Sequence, residues 1–211
     1  MATPADGQRS PLEGVDLTTL LHRPGPGPHR TTVRVGDRTV ETLADLPPER
    51  GGILFVGLNP SPISVRAGHY HQGRLGRSFW RRLTIAGILP PGTPIETADD
   101  TLAGAGHGIT DLLRIPTQRD VASDADLATG VGALWQRVAI WRPAAVVFVY
   151  KRAASAVAGR PLTERWGTLD GVAIGGRPCF LMPGPYAPTA EVTQGLNFLR
   201  NLAVAVTRDA G

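Results

Sequence analysis

The stretch 53–80 contains the side chains best suited to do chemistry. An apolar run, "ILFVG", leads directly into Asn59, and the neighbouring Pro60 and Pro62 fix two backbone φ angles and remove two N–H donors. A loop held in this way presents an amide side chain, or its remaining backbone amides, in one geometry. Asn59 is therefore a candidate for binding a ligand, although an Asn-Pro pair also caps turns.

Arginines are concentrated in the same stretch, beside aromatic residues. The chain has 22 basic and 18 acidic residues, and Lys151 is the only lysine. A planar guanidinium suits bidentate contact with phosphate, so this pattern favours a polyanionic partner. A solvated charged face and a general bias toward arginine are the alternatives. The arginines of residues 65–82, which extend two positions beyond this stretch, are Arg66, Arg74, Arg77, Arg81 and Arg82.

The cysteine and histidine content argues against a metal centre or a cofactor. Cys179 is the only cysteine, which excludes an internal disulfide, a zinc knuckle and a four-cysteine iron–sulfur cluster. No apolar run approaches the ~20 residues of a membrane span, and the first residues lack the apolar core of a signal peptide. We therefore expect an intracellular, cytoplasmic monomer without membrane contact. Four histidines are interpreted as exposed or structural: His22, His29, His69 and His107.

Buried strands alternate with amphipathic helices along most of the chain. "ILFVG" and "AAVVFVY" read as buried strands, and Ser123 with Asp126 resembles a capping box that opens a long helix ending before Pro143. "VAIGGRPCFL" reads as a hairpin, and a last helix begins near Thr189. This alternation predicts an α/β fold, a three-layer α/β/α domain with a mainly parallel central sheet. Ligands collect beyond the carboxyl ends of such strands, where Asn59 lies.

Three segments are predicted. Residues 1–30 form a flexible, Pro/Gly-rich N-terminal segment, and residues 31–50 form an accessory hairpin or extended segment around Gly36 and Asp37. Residues 51–207 form the α/β domain. Within it, residues 90–108 are expected to be a loop with at most a turn of helix.

Four segments, in order, resemble the mismatch-specific uracil and thymine DNA glycosylases. "GLNPSP", "GHYHQG" and "SFWRRLTIAGI" are similar to the first motif region of that family, which typically reads Gly-Ile-Asn-Pro-Gly, then Gly with aromatic residues, then Asn-X-Phe-Trp. "HGITDLLRIPTQ", "WRPAAVVFVYKRA" and "RWGTLDGVAIGGRPCFLMPGP" resemble its later segments. The resemblance covers roughly residues 52–205, and the first motif is its most specific part.

The resemblance implies an enzyme that flips a nucleotide out of DNA and cleaves its glycosidic bond. Asn59 matches the family asparagine that positions the attacking water. Tyr70 or His71 matches the aromatic residue that stacks on the base: counting from the glycine favours His71, and ring chemistry favours Tyr70. The other predicted substrate-binding residues are Gly57, Leu58, Ser78 and Phe79, although Phe79 and Trp80 could instead pack their helix onto the sheet.

The chain departs from the family pattern at three places. Arg77, followed by Ser78, occupies the position of the family asparagine before Phe-Trp. The second motif, usually Asn-Pro-Ser-Gly, is replaced by "MPGPYAPT". At "GITDLL" the chain carries Asp111, which we interpret as a second water activator or a stabiliser of the cationic sugar. A helix cap or a surface salt bridge is the alternative for Asp111.

Two groups of residues are predicted to contact DNA. Arg66, Arg74 and Arg77 would form a rim that grips the backbone. The second group is a stiff apolar wedge that begins at Met182. It would fill the gap left by the flipped base and replace the lost stacking without recognising the opposite base. Tyr186 is the expected tip, or else it packs against the final helix. The DNA-binding residues of this loop are Pro183, Gly184, Pro185 and Tyr186.

These observations predict a monofunctional, metal-independent, cofactor-free hydrolase that removes uracil from DNA. Other deaminated bases are further candidate substrates. A non-catalytic domain that binds DNA or damaged bases is one alternative. A hydrolase of free nucleosides on a similar scaffold is the other, because a fold does not determine a function.

Overall fold

The computed structural model describes residues 20, 22–117 and 122–209. Most of the segment predicted to be flexible, residues 1–19 and 21, lies outside the described residues. None of the helices in the described part is long and apolar enough to cross a membrane.

A five-stranded sheet forms the centre of the molecule, in the order β4-β3-β5-β7-β6. The first four strands in this order run parallel, and β6 pairs antiparallel with β7 at one edge. A separate hairpin, β1 and β2, precedes the sheet. The strands are β1 (Arg30–Val35), β2 (Arg38–Leu43), β3 (Ile53–Gly57), β4 (Gly108–Asp111), β5 (Ala145–Phe148), β6 (Gly167–Ile174) and β7 (Arg177–Leu181).

Six α-helices have their full bounds within the described residues, and they lie between and after the strands of the main sheet. They are α1 (Pro62–Ala67), α2 (Arg74–Ile85), α3 (Ala98–Gly104), α4 (Asp124–Trp141), α5 (Lys151–Ala158) and α6 (Thr189–Asp209), and a short 3₁₀ helix (Ile95–Thr97) precedes α3. The predicted capping box is present at the start of α4, where Ser123 accepts from the backbone N–H of Asp126. The helical content of 90–108 is greater than expected, because α3 buries Ala98 and Leu102 completely against the core.

Each face of the sheet is covered by helices, which confirms the predicted three-layer fold. Phe55 and Val147 point to one face, where they share a core with Trp80 of α2 and Leu199 of α6. Leu54, Val56 and Val146 point to the other face, with Leu134 and Val138 of α4. Because both faces are buried, β3 and β5 are apolar at every position, as a parallel sheet requires.

The hairpin predicted around Gly36 and Asp37 is confirmed, with Val35 opposite Arg38 at its turn. The chain then returns to the main sheet, where Leu46 forms an antiparallel bridge with Ile109 of β4. The described part of the N-terminal segment is also attached to the domain: Arg23 pairs with Glu49 at 2.9 Å.

A buried polar network connects this return to β4 and α4. Asp45 accepts from Thr110 Oγ1 at 2.6 Å and forms ion pairs with Arg114 and Arg137. Arg137 also donates to the backbone oxygen of Asp111 at 3.0 Å. The network therefore fixes the backbone of β4 at the point where Asp111 leaves the sheet.

Two glycines of α4 provide a test of how closely this helix packs. A Cβ added to Gly130 would lie 2.7 Å from the backbone oxygen of Leu112, whereas one added to Gly132 meets nothing within 4 Å. Alanine is favoured over glycine in a helix by ~0.5–1 kcal/mol. We therefore expect Gly132→Ala to raise the free energy of unfolding by about that amount and Gly130→Ala to lower it by ~1–3 kcal/mol, since the backbone of Leu112 has to move. Denaturant unfolding of both variants measures this, and changes of the same sign would show that α4 does not pack as described.

Candidate active site

A cavity of about 720 Å³ opens at the carboxyl end of the parallel strands. The loop after β3 provides one wall, the end of β4 the floor, and the segment before α2 the opposite wall. This is the position at which open α/β sheets bind ligands. Of the predicted site residues, those that line it are Leu58, Asn59, Tyr70, His71, Arg74 and Asp111.

Asn59 is held by its amide nitrogen. Nδ2 donates to Thr117 Oγ1 at 2.7 Å and to the carbonyl oxygen of Pro60 at 3.3 Å. A carbonyl oxygen only accepts hydrogen bonds, so the atom facing Pro60 must be the nitrogen. Within the described residues, Oδ1 of Asn59 has no hydrogen-bond partner, which leaves it as the acceptor that the side chain can offer to a bound molecule.

Asp111 is buried at the floor of the cavity. It lies opposite Gly57 in the parallel pairing of β3 and β4, and a Cβ on Gly57 would be 2.0 Å from Asp111 Oδ1. Only glycine at position 57 allows the carboxylate to occupy this place. Burial raises the pKa of Asp111 to about 7, a rise that the nearby guanidiniums of Arg114 and Arg137 oppose. The carboxyl group thus exchanges a proton near neutral pH. This position argues against the alternatives of a helix cap or a surface salt bridge.

The structure distinguishes the two candidates for the stacking ring. Tyr70 is 2% exposed, and its hydroxyl donates to the backbone oxygen of Ala44, so its ring belongs to the core beneath the cavity. His71 is partly exposed, yet its Nε2 atom is buried with no hydrogen-bond partner within the described residues. Burial lowers the pKa of His71 to about 4, so the ring is neutral at pH 7. His71 is therefore the ring that faces the cavity.

The backbone of His71 has a φ of 54°, a left-handed conformation that is uncommon for a residue with a side chain. It is held there by α2, since a Cβ on Gly76 would lie 2.2 Å from the backbone oxygen of His71. Phe79 supports the ring from behind, with centroids 4.6 Å apart. Strained backbone of this kind persists where the surrounding packing determines it, often at functional sites.

Phe79 and Ser78 do not line the main cavity. Phe79 is 4% exposed and packs against Phe55 and Trp80, as the alternative interpretation of this pair proposed. Ser78 donates to the backbone oxygen of Leu75 within α2. Both residues border a second, narrow cavity beside Met182 and Pro183.

The arginines of the stretch 66–82 divide into two groups. Arg66, Arg74 and Arg77 are exposed, and Arg74 lies at the edge of the main cavity. Arg82 is partly buried, and its guanidinium donates to the backbone oxygens of Pro183 and Gly184 at 2.8 and 3.2 Å. Arg82 therefore holds the 183–186 loop in place and does not belong to an exposed rim. Arg81 faces a separate groove beside Leu89.

The loop 183–186 differs in part from the predicted wedge. Met182 is buried in the core and Pro183 is buried against Gly195 of α6, so neither is available to enter DNA. Tyr186 is 79% exposed, which rules out the alternative that it packs against the final helix. The projecting part of the loop is thus Gly184, Pro185 and Tyr186.

Among the cavity residues that were not identified from the sequence, three carry polar groups that bear on the site. Thr117 anchors Asn59, Tyr150 lies 6.2 Å from the ring of His71, and Lys151 is exposed at the mouth. Tyr150 and Lys151 follow β5, so the rule that ligands lie beyond strand ends could have identified them.

One comparison with known proteins agrees with this arrangement. The family model described as the Uracil DNA glycosylase superfamily matches residues 44–199, which include the main sheet, nearly all of the cavity residues and the first half of α6. A comparison with curated proteins finds no match to the chain. The match covers well over half of the 211 residues and contains the whole of β3, β4 and β5. The chain therefore belongs to the uracil DNA glycosylase superfamily.

Proposed function

We propose that this protein is a uracil-DNA glycosylase that resembles the mismatch-specific uracil and thymine enzymes but lacks their selectivity for the opposite base. It flips a uracil nucleotide out of DNA and hydrolyses the N-glycosidic bond with a positioned water. The observation that carries this proposal is the cavity itself, where an oriented amide, a neutral ring and a carboxyl group of raised pKa come together. The decisive experiment is an excision assay on an oligonucleotide containing one uracil.

The ring of His71 is the proposed stacking surface for the base. Contact with the ring of Phe79 and the left-handed backbone conformation of His71 restrict the movement of the imidazole ring. Binding of the base therefore costs little conformational entropy at this side chain. A flipped base loses its stacking in the duplex at a cost of a few kcal/mol, and stacking on a fixed ring offsets part of this cost.

Asn59 and Asp111 are proposed to act on the same water. Asn59 Oδ1 accepts one hydrogen of the water and turns its oxygen toward C1′. As the bond between C1′ and the base nitrogen breaks, its electron pair leaves with the base, and the water oxygen bonds to C1′. The proton lost by the water goes to the ionised form of Asp111, which also stabilises positive charge on the sugar.

The DNA contacts are proposed to lie on both sides of the cavity. Arg74 and Lys151 at the mouth would bind phosphates. The projecting part of the loop, Gly184 to Tyr186, would place the ring of Tyr186 in the space left by the base, and Arg82 would hold the loop through the carbonyl oxygens of Pro183 and Gly184. A ring stacks on any base, so this device does not select the partner of uracil.

Asn59→Ala should lower the single-turnover rate of uracil excision by ~10²-fold or more, on the scale of losing one positioned polar group. Binding of a duplex with a non-cleavable uracil analogue should remain close to that of the wild type, since the amide acts on water. Rapid-quench measurement of excision, with the melting temperature as a control for folding, tests this. A rate within threefold of the wild type would mean that Asn59 only stabilises its turn.

The carboxyl group of Asp111 should make excision depend on pH. Its active form is the carboxylate, and its pKa is raised to about 7, so the rate should rise with pH up to about 7 and level off above it. Asp111→Asn should lower the plateau by ~10²-fold, remove this rise and leave DNA binding unchanged. Single-turnover rates between pH 5 and 9 for both proteins measure this, and superimposable profiles would exclude Asp111 from the chemistry.

Excision should depend weakly on the opposite base, so that U·G, U·A and single-stranded substrates differ by less than a hundredfold.

Tyr186→Ala should reduce excision from duplexes and leave single-stranded excision intact, because only a duplex has to be opened. Arg82→Met should have the same effect, because it removes the hydrogen bonds that hold the loop carrying Tyr186. Arg81→Met, the adjacent arginine without these contacts, is the matched control. A U·G preference above a hundredfold, or equal loss on both strand forms, would contradict the proposal.

A further inference from the structure

Two histidines and two aspartates converge on the side of the domain where the N-terminal segment attaches. His29 and His69 lie edge to edge, with ring centroids 5.5 Å apart. Asp99 and Asp100 face them from the first turn of α3. Nε2 of His29 is 2.7 Å from Asp100 Oδ1, and Nδ1 of His69 is 2.9 Å from Asp99 Oδ1. One ligating atom from each of the four residues lies within 4.8 Å of all the others.

The backbone holds these residues close together. His29 donates its N–H to the carbonyl oxygen of Gly68 at 2.7 Å and accepts from the N–H of Ala44 at 2.6 Å. A Cβ on Gly68 would lie 2.7 Å from Cβ of Pro28, so the approach of the two segments requires glycine at position 68. The cluster is therefore formed by three separate parts of the chain at fixed positions.

The charges of the cluster match a divalent cation. Asp99 is fully buried, Asp100 is partly buried, and both histidines are buried. Two adjacent carboxylates that are removed from water need a positive charge nearby to offset the cost of burying their negative charges. A divalent ion with two carboxylates and two neutral imidazoles is neutral overall. We infer that His29, His69, Asp99 and Asp100 bind one divalent transition-metal ion, and two nitrogen and two oxygen ligands favour zinc.

The dimensions of the cluster are close to those of such a site. Zinc binds imidazole nitrogen at ~2.0–2.1 Å and carboxylate oxygen at ~2.0–2.2 Å, so tetrahedral ligand atoms are about 3.4 Å apart. Relative to this value, the 2.7 and 2.9 Å contacts have to open by about 0.7 and 0.5 Å, and separations of up to 4.8 Å have to close by at most about 1.4 Å.

Further contacts orient the carboxylates, and a route leads to them from solvent. Asp99 Oδ2 accepts from the N–H of Tyr70 at 2.8 Å, and Asp100 accepts from the N–H of Gly27 at 3.2 Å. Such contacts behind metal ligands hold them in position. His29 and Asp100 also line a separate cavity of about 310 Å³, through which an ion can enter.

The proposed ion is structural. None of its four ligands lines the main cavity, but His69 and Asp99 support the turn that leads into His71. The ion would fasten the N-terminal segment and α3 to that turn. The inference does not depend on the proposed glycosylase activity, because it concerns a different group of residues.

The test uses the full chain, stripped of metal with a chelator and then titrated with zinc in competition with a chromophoric chelator. We expect one zinc ion per chain by native mass spectrometry and a melting temperature that rises with zinc concentration. Cobalt in place of zinc should give the absorption spectrum of a tetrahedral site. Asp100→Asn retains an oxygen that can accept from Gly27 but loses the charge, and it should weaken zinc binding by ~10²-fold or more.

His29→Asn should weaken zinc binding to a similar degree, and circular dichroism of both variants establishes that they are folded. His22→Asn is the matched control, since it removes an exposed histidine of the same segment outside the cluster. A wild-type chain that takes up no stoichiometric zinc would overturn the inference, whatever the variants do. Equal affinity in Asp100→Asn and the wild type would also overturn it, by showing that the ion binds elsewhere.

Discussion

The parallel pairing of Gly57 with Asp111 is the constraint on which the rest of the site depends. It brings the ends of two strands that are 54 residues apart in sequence to the same edge of the sheet. The pairing continues into the loops, where Leu112 and Leu113 donate to the carbonyl oxygens of Gly57 and Leu58. Asn59 therefore lies beside the loop that carries Thr117, its hydrogen-bond partner. A shift of one residue in this register would move the carboxylate away from the amide.

Burial and charge have opposing effects at the floor of the cavity. The apolar strands remove water from Asp111 and raise its pKa, whereas Arg114 and Arg137 moderate the rise. These guanidiniums are themselves held by Asp45, which reaches the network from the segment after the hairpin. The segment after the hairpin thus influences the pKa of Asp111 through Asp45, although Asp45 does not line the cavity.

Much of the fold could be predicted because its signals are local. The apolar run at β3, the capping box at Ser123 and the turn at Gly36 each depend on neighbouring residues, and each is present. Asn59 could be identified as a candidate because it follows a strand, and Asp111 because it lies in a segment that resembles the glycosylase family. Met182 could not be assigned correctly, since its burial depends on β7 pairing with β5, a contact between distant segments.

Local periodicity and motifs were sufficient to predict the three-layer architecture, the position of Asn59 beyond a central strand and the resemblance to a glycosylase family, because they are properties of neighbouring residues. The tertiary structure decided which of two adjacent rings, Tyr70 or His71, faces the cavity. It also decided that Arg82 binds a loop, and that His29 and His69, 40 residues apart, meet two aspartates. Side-chain direction and long-range contact depend on how whole elements pack, and no local pattern encodes that packing.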